Sequence, residues 1–418
     1  MILANFLKEI KMNLNKVFFV ACSLLFLFAC RNGHKASLIK AGRAIQIDSM
    51  PGNCPYLTKD DKGNIIISWA RSVNDSTSVF CYVISADGGR SFGKIITIPS
   101  SNNIQPHSEN LPKIIFKPSG EIIALWGTAN PNPNNKYSGL VYYSQSFDKG
   151  ATWTKSKPLV NDTASYDQRY YDIALLPSGE AAIIWLDNRK TTGKEGSSLY
   201  FATTSGRNGF QNERKVSEGC CQCCRTDLFV DSKAGIHVLY RGIIKDSIRD
   251  MLHSVSVDGG NNFSIPQLIS NDNWVLKACP HTGPSMTENK DGLHFAWFTG
   301  GQNQGCFYTR SGDNGKSFNH HDRISFLGSH PQISSLSNGE LIIAWDESVR
   351  VKDKYYKKIG IEERTSSGTD KAQVFITADT MTASYPVIAP LNDKTSVIAY
   401  TIKQSGKDYI IFQQVILE

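Results

Sequence analysis

The stretch SVDGGNNF, from Ser256 to Phe263, belongs to a pattern that recurs along the chain. In this pattern Ser-x-Asp-x-Gly is followed, after two further residues, by an aromatic residue, and near-intact copies begin at Ser85, Ser146 and Ser311. A damaged copy, SGRNGF from Ser205 to Phe210, lacks the aspartate. Each copy predicts the same tight turn, because an aspartate side chain can accept backbone N–H groups of its own turn and glycine can adopt a positive φ.

A second pattern predicts the architecture. An apolar run that ends in an aromatic residue follows a polar turn seven times, and successive aromatic residues are 48 to 59 positions apart. A short strand, often opened by proline, precedes each run, and the spacing suits one four-stranded blade. The aromatic residues are Trp69, Trp126, Trp185, Tyr240, Trp297, Trp345 and Tyr400. The sequence therefore predicts an all-β fold, a seven-bladed β-propeller of four-stranded antiparallel blades in one domain.

The last repeat contains only three strands, which raises the question of how the ring closes. The segment AIQID, from Ala44 to Asp48, precedes the first repeat and has the composition of a short strand. We expect it to supply the missing outer strand, because pairing the two ends of the ring removes an unpaired sheet edge.

The first residues resemble the export signal of a bacterial lipoprotein. Lys11 and Lys16 precede the apolar run from Val17 to Ala29, which is too short to span a bilayer, and Cys30 follows in a context that resembles a lipobox. We expect a membrane-anchored, extracytoplasmic protein, in the periplasm or at the cell surface. The predicted divisions are a lipoprotein signal peptide at residues 1–29 with lipidation at Cys30, a tether at residues 30–43, and the propeller at residues 44–418.

The charge distribution bears on possible partners. The formal net charge is +7, but it is spread along the chain without a long basic run. A nucleic-acid partner is therefore not expected.

The repeated turn resembles the Asp-box, or BNR repeat, of sialidases and related β-propellers, and the resemblance covers nearly the whole chain after Ala44. A six-bladed propeller, the count usual in sialidases, is the alternative fold. The resemblance implies a protein that acts on or binds glycans, including exo-α-sialidase-type glycoside hydrolysis of an acidic sugar, for which no cofactor is required. Where sialidases carry an Arg-Ile-Pro motif at the first blade, this chain has Asn53-Cys54-Pro55.

Candidate substrate-binding residues come from one face of the predicted propeller. We call the top face the side formed by the loops that lead into the first strand and out of the second strand of each blade, where propellers bind ligands. Sialidases hold the sialic acid carboxylate with three arginines, and an arginine fork matches a carboxylate. Alternatively, the arginines pair with neighbouring acids as struts between blades. The arginines on this face are Arg71, Arg169, Arg189, Arg225 and Arg241.

Candidate catalytic residues follow from the same resemblance. Tyr385, in the segment ASYPVI, loosely resembles the nucleophilic tyrosine of sialidases. Asp187 and Glu347, with Asp346 beside the latter, are candidate proton donors, because glycoside hydrolysis needs a carboxylic acid with a raised pKa.

The segment EGCCQCCRTD, from Glu218 to Asp227, raises a different possibility. Thiolate and imidazole ligands suit copper(I) or zinc, so the chain could be a non-catalytic metal-binding or scaffolding propeller. Export instead favours disulfides from Cys54 and Cys279 to the cluster. Cys81 and Cys306 are expected in the core. The candidate metal ligands are Cys220, Cys221, Cys223, Cys224, Cys279 and His281, with His107 and His330 mapped to the same face.

Overall fold

The computed structural model describes residues 39–130, 138–161, 167–189 and 195–418. Within these residues the fold is all-β, apart from one 3-10 turn at Gly206–Asn208. No helix in the described ranges is long and apolar enough to cross a membrane. The predicted signal peptide and Cys30 lie outside the described residues.

Five antiparallel sheets have four strands each and form separate blades. The first contains β3 (Gly52–Lys59), β4 (Ile65–Ser72), β5 (Ser78–Ser85) and β6 (Ile96–Thr97). The second contains β7 (Lys113–Phe116), β8 (Ile122–Ala129), β9 (Gly139–Ser146) and β10 (Lys157–Pro158). The third contains β11 (Gln168–Leu175), β12 (Ala181–Asp187), β13 (Ser197–Thr204) and β14 (Phe210–Cys220). The fourth contains β15 (Asp227–Val230), β16 (Ile236–Arg241), β17 (Met251–Ser256) and β18 (Gln267–Leu268). The fifth contains β19 (Ser285–Asn289), β20 (Gly292–Thr299), β21 (Gly305–Ser311) and β22 (Asp322–Ser325).

The remaining strands form one nine-stranded sheet. Its strands are β1 (Ile39–Ala41), β2 (Ile45–Gln46), β23 (Gly328–Ser335), β24 (Leu341–Val351), β25 (Lys354–Arg364), β26 (Asp370–Phe375), β27 (Thr382–Pro390), β28 (Thr395–Gln404) and β29 (Lys407–Leu417). Its two antiparallel parts are joined where β25 pairs in parallel with β27, at Lys357 and Thr382.

The predicted blade count is wrong, for the seven-bladed fold and for the six-bladed alternative. The structure has five separate four-stranded blades, and the last two sequence repeats merge in the nine-stranded sheet. The physical reason is the length of the β24–β25 hairpin. Both strands have eleven residues, so the hairpin extends far enough for Lys357 to pair with Thr382 on the following strand.

The two ends of the described domain close on each other. In β2, Ile45 pairs with Phe412 of β29, and in β1, Ile39 pairs with Leu417 of the same strand. The expectation that the segment before the first repeat supplies an outer strand is confirmed, and β1 extends the pairing further. Both segments cover most of that side of β29, from Ile410 to Leu417, which reduces the unpaired edge.

The core lies between neighbouring sheets. The seven aromatic residues of the second sequence pattern are all buried, none more than 2% exposed. One apolar cluster joins the second and third sheets through Tyr143 and Trp185, and another joins the third and fourth through Phe201 and Val238. Because each sheet packs on the next with both faces buried, the ring is held together mainly by apolar contact between sheets.

The four Ser-x-Asp-x-Gly turns share one geometry. In each turn the serine hydroxyl donates to the aspartate at 2.7–2.9 Å, and the glycine N–H donates to the serine oxygen at 2.7–2.9 Å. The glycines have φ between +81° and +90°, and a Cβ there would come within 2.1–2.7 Å of a side chain on the preceding sheet. The predicted local turn is confirmed, and its glycine also allows two sheets to approach closely.

Candidate functional site

The first strands of successive sheets line the centre of the ring. They contact one another in sequence from β3 through β7, β11, β15, β19, β23 and β27, and β27 contacts β3 again. The nine-stranded sheet reaches the centre twice, through β23 and β27. Side chains that leave the top ends of these strands therefore converge on one central region.

Four of these strands begin with the same backbone irregularity. The register of β3, β11, β23 and β27 shifts near the strand start, and a non-glycine residue with φ of 53–59° lies in each shift. Such a conformation carries about 1–3 kcal/mol of strain, and bulges re-aim side chains next to functional sites. The residues are Cys54, Tyr170, His330 and Tyr385. This repetition identifies the centre of the top face as the candidate site.

Asp346 organises one side of this centre. Its carboxylate accepts hydrogen bonds from His330 Nδ1 at 2.7 Å, from the Tyr385 backbone N–H at 2.9 Å and from Lys357 Nζ at 2.8 Å. Burial opposes ionisation of Asp346, but the charges and hydrogen bonds of His330 and Lys357 outweigh it and lower its pKa to about 2. The ionised carboxylate holds a proton of His330 on Nδ1, so Nε2 is the acceptor nitrogen of the neutral form of the ring.

Tyr385 packs directly on this histidine. The two ring centroids are 4.1 Å apart with an interplanar angle of 33°, and the tyrosine is half-buried. Burial, together with the charges of Glu109 and Asp346, raises the pKa of the Tyr385 hydroxyl above its usual value of 10. The hydroxyl is therefore protonated at neutral pH and can act as a proton donor.

A buried ion pair crosses the same region. Glu109 accepts from Arg225 Nη1 at 2.9 Å and from the Gly283 N–H at 2.7 Å. Arg225 Nη2 donates to the carbonyl oxygens of Gly283, Pro284 and Pro331 at 3.2–3.3 Å. Both charged groups are satisfied, as buried charges must be. The pair joins the loops that precede β7, β15 and β19 and contacts β23 at Pro331.

A cavity of about 360 Å³ opens beside this centre. Within it the ring of His107 lies 5.7 Å from that of Tyr170 and 5.8 Å from that of His281. Burial, with the nearby His281 and Arg169, lowers the pKa of His107 to about 4, so its imidazole is neutral at pH 7. The lining residues are Gln105, Pro106, His107, Asn110, Gly127, Thr128, Arg169, Tyr170, Gln222, Cys223, Cys279 and His281.

The cavity is rich in hydrogen-bond donors. His107 Nδ1 accepts the Glu109 N–H at 3.2 Å, which leaves the proton of the neutral ring on Nε2 as a donor. The Tyr170 hydroxyl is buried and has no hydrogen-bond partner among the described residues. Arg169 also lines the cavity, and no described lining residue carries a carboxylate. This donor set fits an anionic group on a ligand.

A larger depression, of about 630 Å³, lies beside the Gly89 turn, between β2 and β29. Its described lining has Arg43 and Arg90 but no histidine, cysteine or carboxylate. It therefore offers no group for acid–base chemistry near pH 7, and the site described above is the better candidate.

Each of the five candidate arginines binds its own acidic or carbonyl partners, and the five do not form one cluster. Arg241 is buried and donates to the carbonyl oxygens of Arg249, Thr282 and Phe298 at 2.7–3.2 Å. The other four form ion pairs at 2.5–2.9 Å, and of these only Arg169 lines the cavity. The pairs are Arg71 with Asp48, Arg169 with Asp167, Arg189 with Asp187 and Glu213, and Arg225 with Glu109.

The candidate proton donors contact the blade tryptophans. The indole N–H of Trp185 donates to Asp187 at 3.2 Å, and that of Trp345 donates to Glu347 at 3.2 Å. Glu347 also accepts from the Ser325 hydroxyl at 2.6 Å. Both carboxylates therefore accept hydrogen bonds from indole groups of the second strands β12 and β24.

The cysteines fall into distinct places, and all eight in the described residues are free thiols. Cys221, Cys223 and Cys224 are brought together, with their sulfur atoms within 4.8 Å of one another. Cys220 ends β14 outside this group, and Cys279 is exposed at the cavity. The disulfides considered from Cys54 and Cys279 to the cluster are absent from the described structure. Cys81 and Cys306 are buried, as expected.

The central pair His330 and Asp346 was placed on the top face by sequence but not connected. A sequence signal for the irregular start of a first strand is the dipeptide X-Pro. It occurs in β3, β23 and β27, as Cys54-Pro55, His330-Pro331 and Tyr385-Pro386. Proline restricts the residue before it, so a recurrent X-Pro marks a special backbone position.

No protein-family model matches the sequence, and no curated protein matches it. Solved structures share its fold at low identity. The polysaccharide lyase Uly1 is 11% identical, with a TM-score of 0.55 over 88% of this chain and 90% of that one. The α-L-arabinanase of Penicillium chrysogenum, complexed with arabinobiose, is 12% identical, with a TM-score of 0.51 over 77% of this chain and 98% of that one. A mutant NanB sialidase from Streptococcus pneumoniae is 13% identical, with a TM-score of 0.49 over 90% of this chain and 70% of that one. At these identities the likeness shows the fold alone, that of an all-β propeller.

Proposed function

We propose that this chain is an enzyme that cleaves a glycan containing an acidic sugar, at the centre of the top face. The observation that carries the proposal is the shared carboxylate of Asp346, which fixes both the His330 imidazole and the backbone of Tyr385. It places an acceptor nitrogen and a protonated phenol side by side at two strained bulges. A base and an acid in contact are the minimum for cleavage by proton transfer.

The favoured chemistry is elimination next to a carboxylate. His330 Nε2 would take the proton on the carbon beside the sugar carboxylate, and that electron pair would form a carbon–carbon double bond. The glycosidic C–O bond would break, and the leaving oxygen would receive the proton of Tyr385. The raised pKa of Tyr385 supports this role, since the phenol stays protonated until the leaving oxygen needs a proton.

The neighbouring cavity supports recognition of the acidic group. His107 Nε2, the unpartnered Tyr170 hydroxyl and Arg169 present donors there, and a carboxylate of the substrate would accept from them. The polysaccharide lyase Uly1, whose fold is similar to that of this chain, is an example of a lyase built on this fold.

Hydrolysis is the second candidate. Tyr385 lies near two carboxylates, Glu109 and Asp346, whose charges act on its hydroxyl. In this alternative, Tyr385 would pass its proton to His330 and attack the anomeric carbon as in sialidases, while the glycosidic C–O bond breaks and the leaving oxygen takes that proton from His330. Water would then cleave the bond between the sugar and Tyr385 and restore the phenol. The two candidates predict different products, because elimination leaves an unsaturated sugar and hydrolysis consumes water without forming a double bond.

The test is a screen of the full chain against uronic-acid polysaccharides and sialosides. Ultraviolet absorbance detects an unsaturated product, and a reducing-end assay detects either cleavage. We expect Tyr385→Phe and His330→Asn to reduce kcat at least about 100-fold, and the exposed His320→Asn to have no effect. If both central variants kept full activity, or if the chain neither bound nor cleaved any acidic glycan, the proposal would be overturned.

We also propose that the protein is held at a membrane surface outside the cytoplasm by acyl chains on Cys30. The support is the lipobox-like sequence around this cysteine. Metabolic labelling with a fatty acid should mark the wild-type chain and leave Cys30→Ser unlabelled. A labelled Cys30→Ser chain would contradict the assignment of this residue.

A further inference from the structure

Three thiols of the loop between β14 and β15 form a compact group. The Cys221 sulfur lies 3.6 Å from that of Cys223 and 4.0 Å from that of Cys224. Metal–sulfur bonds of about 2.3 Å place sulfur atoms about 3.8 Å apart in a tetrahedral site and about 4.0 Å apart in a trigonal one. Two of the three sulfur–sulfur distances therefore match ligands around a single ion, and the third is within 4.8 Å.

The loop that carries these thiols is fixed from outside. The Cys221 N–H donates to the Arg241 carbonyl at 2.8 Å, and the Ile243 N–H donates to the Gly219 carbonyl at 2.6 Å. Cys221, Cys223 and Cys224 are each at most 3% exposed, while Cys223 also lines the cavity. The loop is thus anchored by backbone hydrogen bonds, and an ion can approach the group from the cavity at Cys223.

Two buried donors beside the thiols have no partner. Arg241 Nε and the Tyr170 hydroxyl make no hydrogen bond to any described residue. The charge of Arg241 acts on Cys221 and Cys224, and the Tyr170 hydroxyl is influenced by Cys223 and Cys224. Unsatisfied buried donors are rare, and donors to ligand sulfurs are the usual outer partners of a metal site. Bound thiolates would accept from both groups.

We propose that Cys221, Cys223 and Cys224 bind one copper(I) ion as three thiolates, with Arg241 and Tyr170 as outer hydrogen-bond donors. Soft thiolate ligands select copper(I) and zinc, and structural zinc sites take four ligands whereas this group supplies three. Binding releases the thiol protons to solvent and changes no oxidation state. The site shares the Tyr170 hydroxyl with the cavity proposed to hold the substrate carboxylate, but copper(I) titration without glycan tests it separately from the cleavage chemistry at His330 and Tyr385.

The test is anaerobic titration of the reduced full chain with copper(I) against a chromophoric chelator. We expect one tightly bound ion per chain and an affinity lowered more than about 100-fold in Cys223→Ser. The matched control is Cys306→Ser, a buried thiol in β21, which should bind as the wild type does. Tyr170→Phe should lower the affinity about 10-fold, as expected for an outer partner.

Protection from alkylation provides a second measurement if Cys223→Ser fails to fold. Copper(I) should shield Cys221, Cys223 and Cys224 of the wild-type chain from a thiol reagent, as mapped by mass spectrometry, and leave Cys279 reactive. The proposal is overturned by absent binding, by a disulfide among the three thiols in protein isolated without reductant, or by equal loss in Cys306→Ser. Preferential zinc binding that depends on Cys279 or His281 would replace it with a four-ligand zinc site.

Discussion

The Tyr385 ring lies 4.1 Å from the His330 imidazole, and both residues are positioned by one carboxylate, that of Asp346. Asp346→Asn should therefore disturb both at once. The His330 ring and the Tyr385 N–H share one oxygen of Asp346 and Lys357 uses the other, so an amide loses one of these sets of bonds and in either orientation loses the charge that orients the imidazole. We expect kcat to fall at least about 100-fold, as for a lost orienting group. Because Lys357 and His330 lose a buried charged partner, the free energy of unfolding should also fall by about 2–4 kcal/mol.

The control for this variant is Asp353→Asn, since the Asp353 side chain is 98% exposed. Asp353→Asn should change neither kcat nor the free energy of unfolding measurably. Steady-state kinetics and denaturant unfolding supply the two readouts. Full activity in Asp346→Asn would show that the histidine and tyrosine do not depend on this carboxylate.

Two adjacent glycines allow close sheet packing to be tested within one turn. Gly259 and Gly260 have φ of +75° and +86°, but a Cβ on Gly259 meets nothing within 4 Å, whereas one on Gly260 comes 2.3 Å from the Phe201 ring. Gly259→Ala should cost only the backbone strain, about 1 kcal/mol. Gly260→Ala adds a steric clash and should cost about 2–4 kcal/mol. Equal losses in chemical denaturation would mean that contact with Phe201 is unimportant.

We expect Arg241 to stabilise the fold, because its guanidinium donates hydrogen bonds to three backbone carbonyl oxygens in the interior. Arg241→Met leaves these acceptors without their donor, and we expect a loss of about 3 kcal/mol or more in the free energy of unfolding. Arg350→Met, at an exposed position, is the matched change of side chain. A loss no greater than that of Arg350→Met would mean that water replaces the guanidinium.

Buried histidines should make the fold sensitive to mild acid. His253 accepts or donates at 2.9 Å with His237, and burial, followed by the charge of His237, lowers the pKa of His253 from 6.5 to about 3. Because the unfolded chain binds this proton more readily, the stability is fully present above about pH 6.5 and is lost progressively as the pH falls towards 3. The effect amounts to a few kcal/mol for this residue.

The variant that tests this is His253→Phe, since Phe201 occupies the corresponding place against the Gly260 turn, as His253 does against Gly315. We expect a flatter dependence of unfolding free energy on pH between 6.5 and 4. Stability at pH 7 should fall by about 1–2 kcal/mol, because His237 loses its partner. An unchanged pH profile would assign the acid sensitivity to other groups.

Local and periodic features were predictable from sequence. The turn at Ser256 is formed by side chains within eight residues, so the local sequence predicts it. The seven buried aromatic residues from Trp69 to Tyr400 recur at regular spacing, so the repeat predicts them. The merging of the last repeats was not predictable, because it depends on how far the β24–β25 hairpin extends before Lys357 meets Thr382.

The site was predictable in composition but not in arrangement. The sequence placed arginines, cysteines and Tyr385 on one face, yet it could not show that Arg241 is occupied by carbonyls or that Cys220 stands apart from Cys221. Those outcomes depend on side-chain directions where β14 and β16 end, and such positions have no periodic signature. The recurrent X-Pro dipeptide is the sequence feature that indicates the backbone irregularities at Cys54, His330 and Tyr385.

The pairing of Ile39 with Leu417 and of Ile45 with Phe412 has a consequence for the order of events during synthesis. β1 and β2 are synthesised before all the other strands, but they pair with β29, which is synthesised last. The ring therefore cannot close before β29 has been made. Contacts between such distant positions slow folding, and an incomplete chain exposes an open sheet edge that favours aggregation. A nascent chain stalled before β29 should therefore remain protease-sensitive at β1 and β2, whereas the blades already complete can be protected.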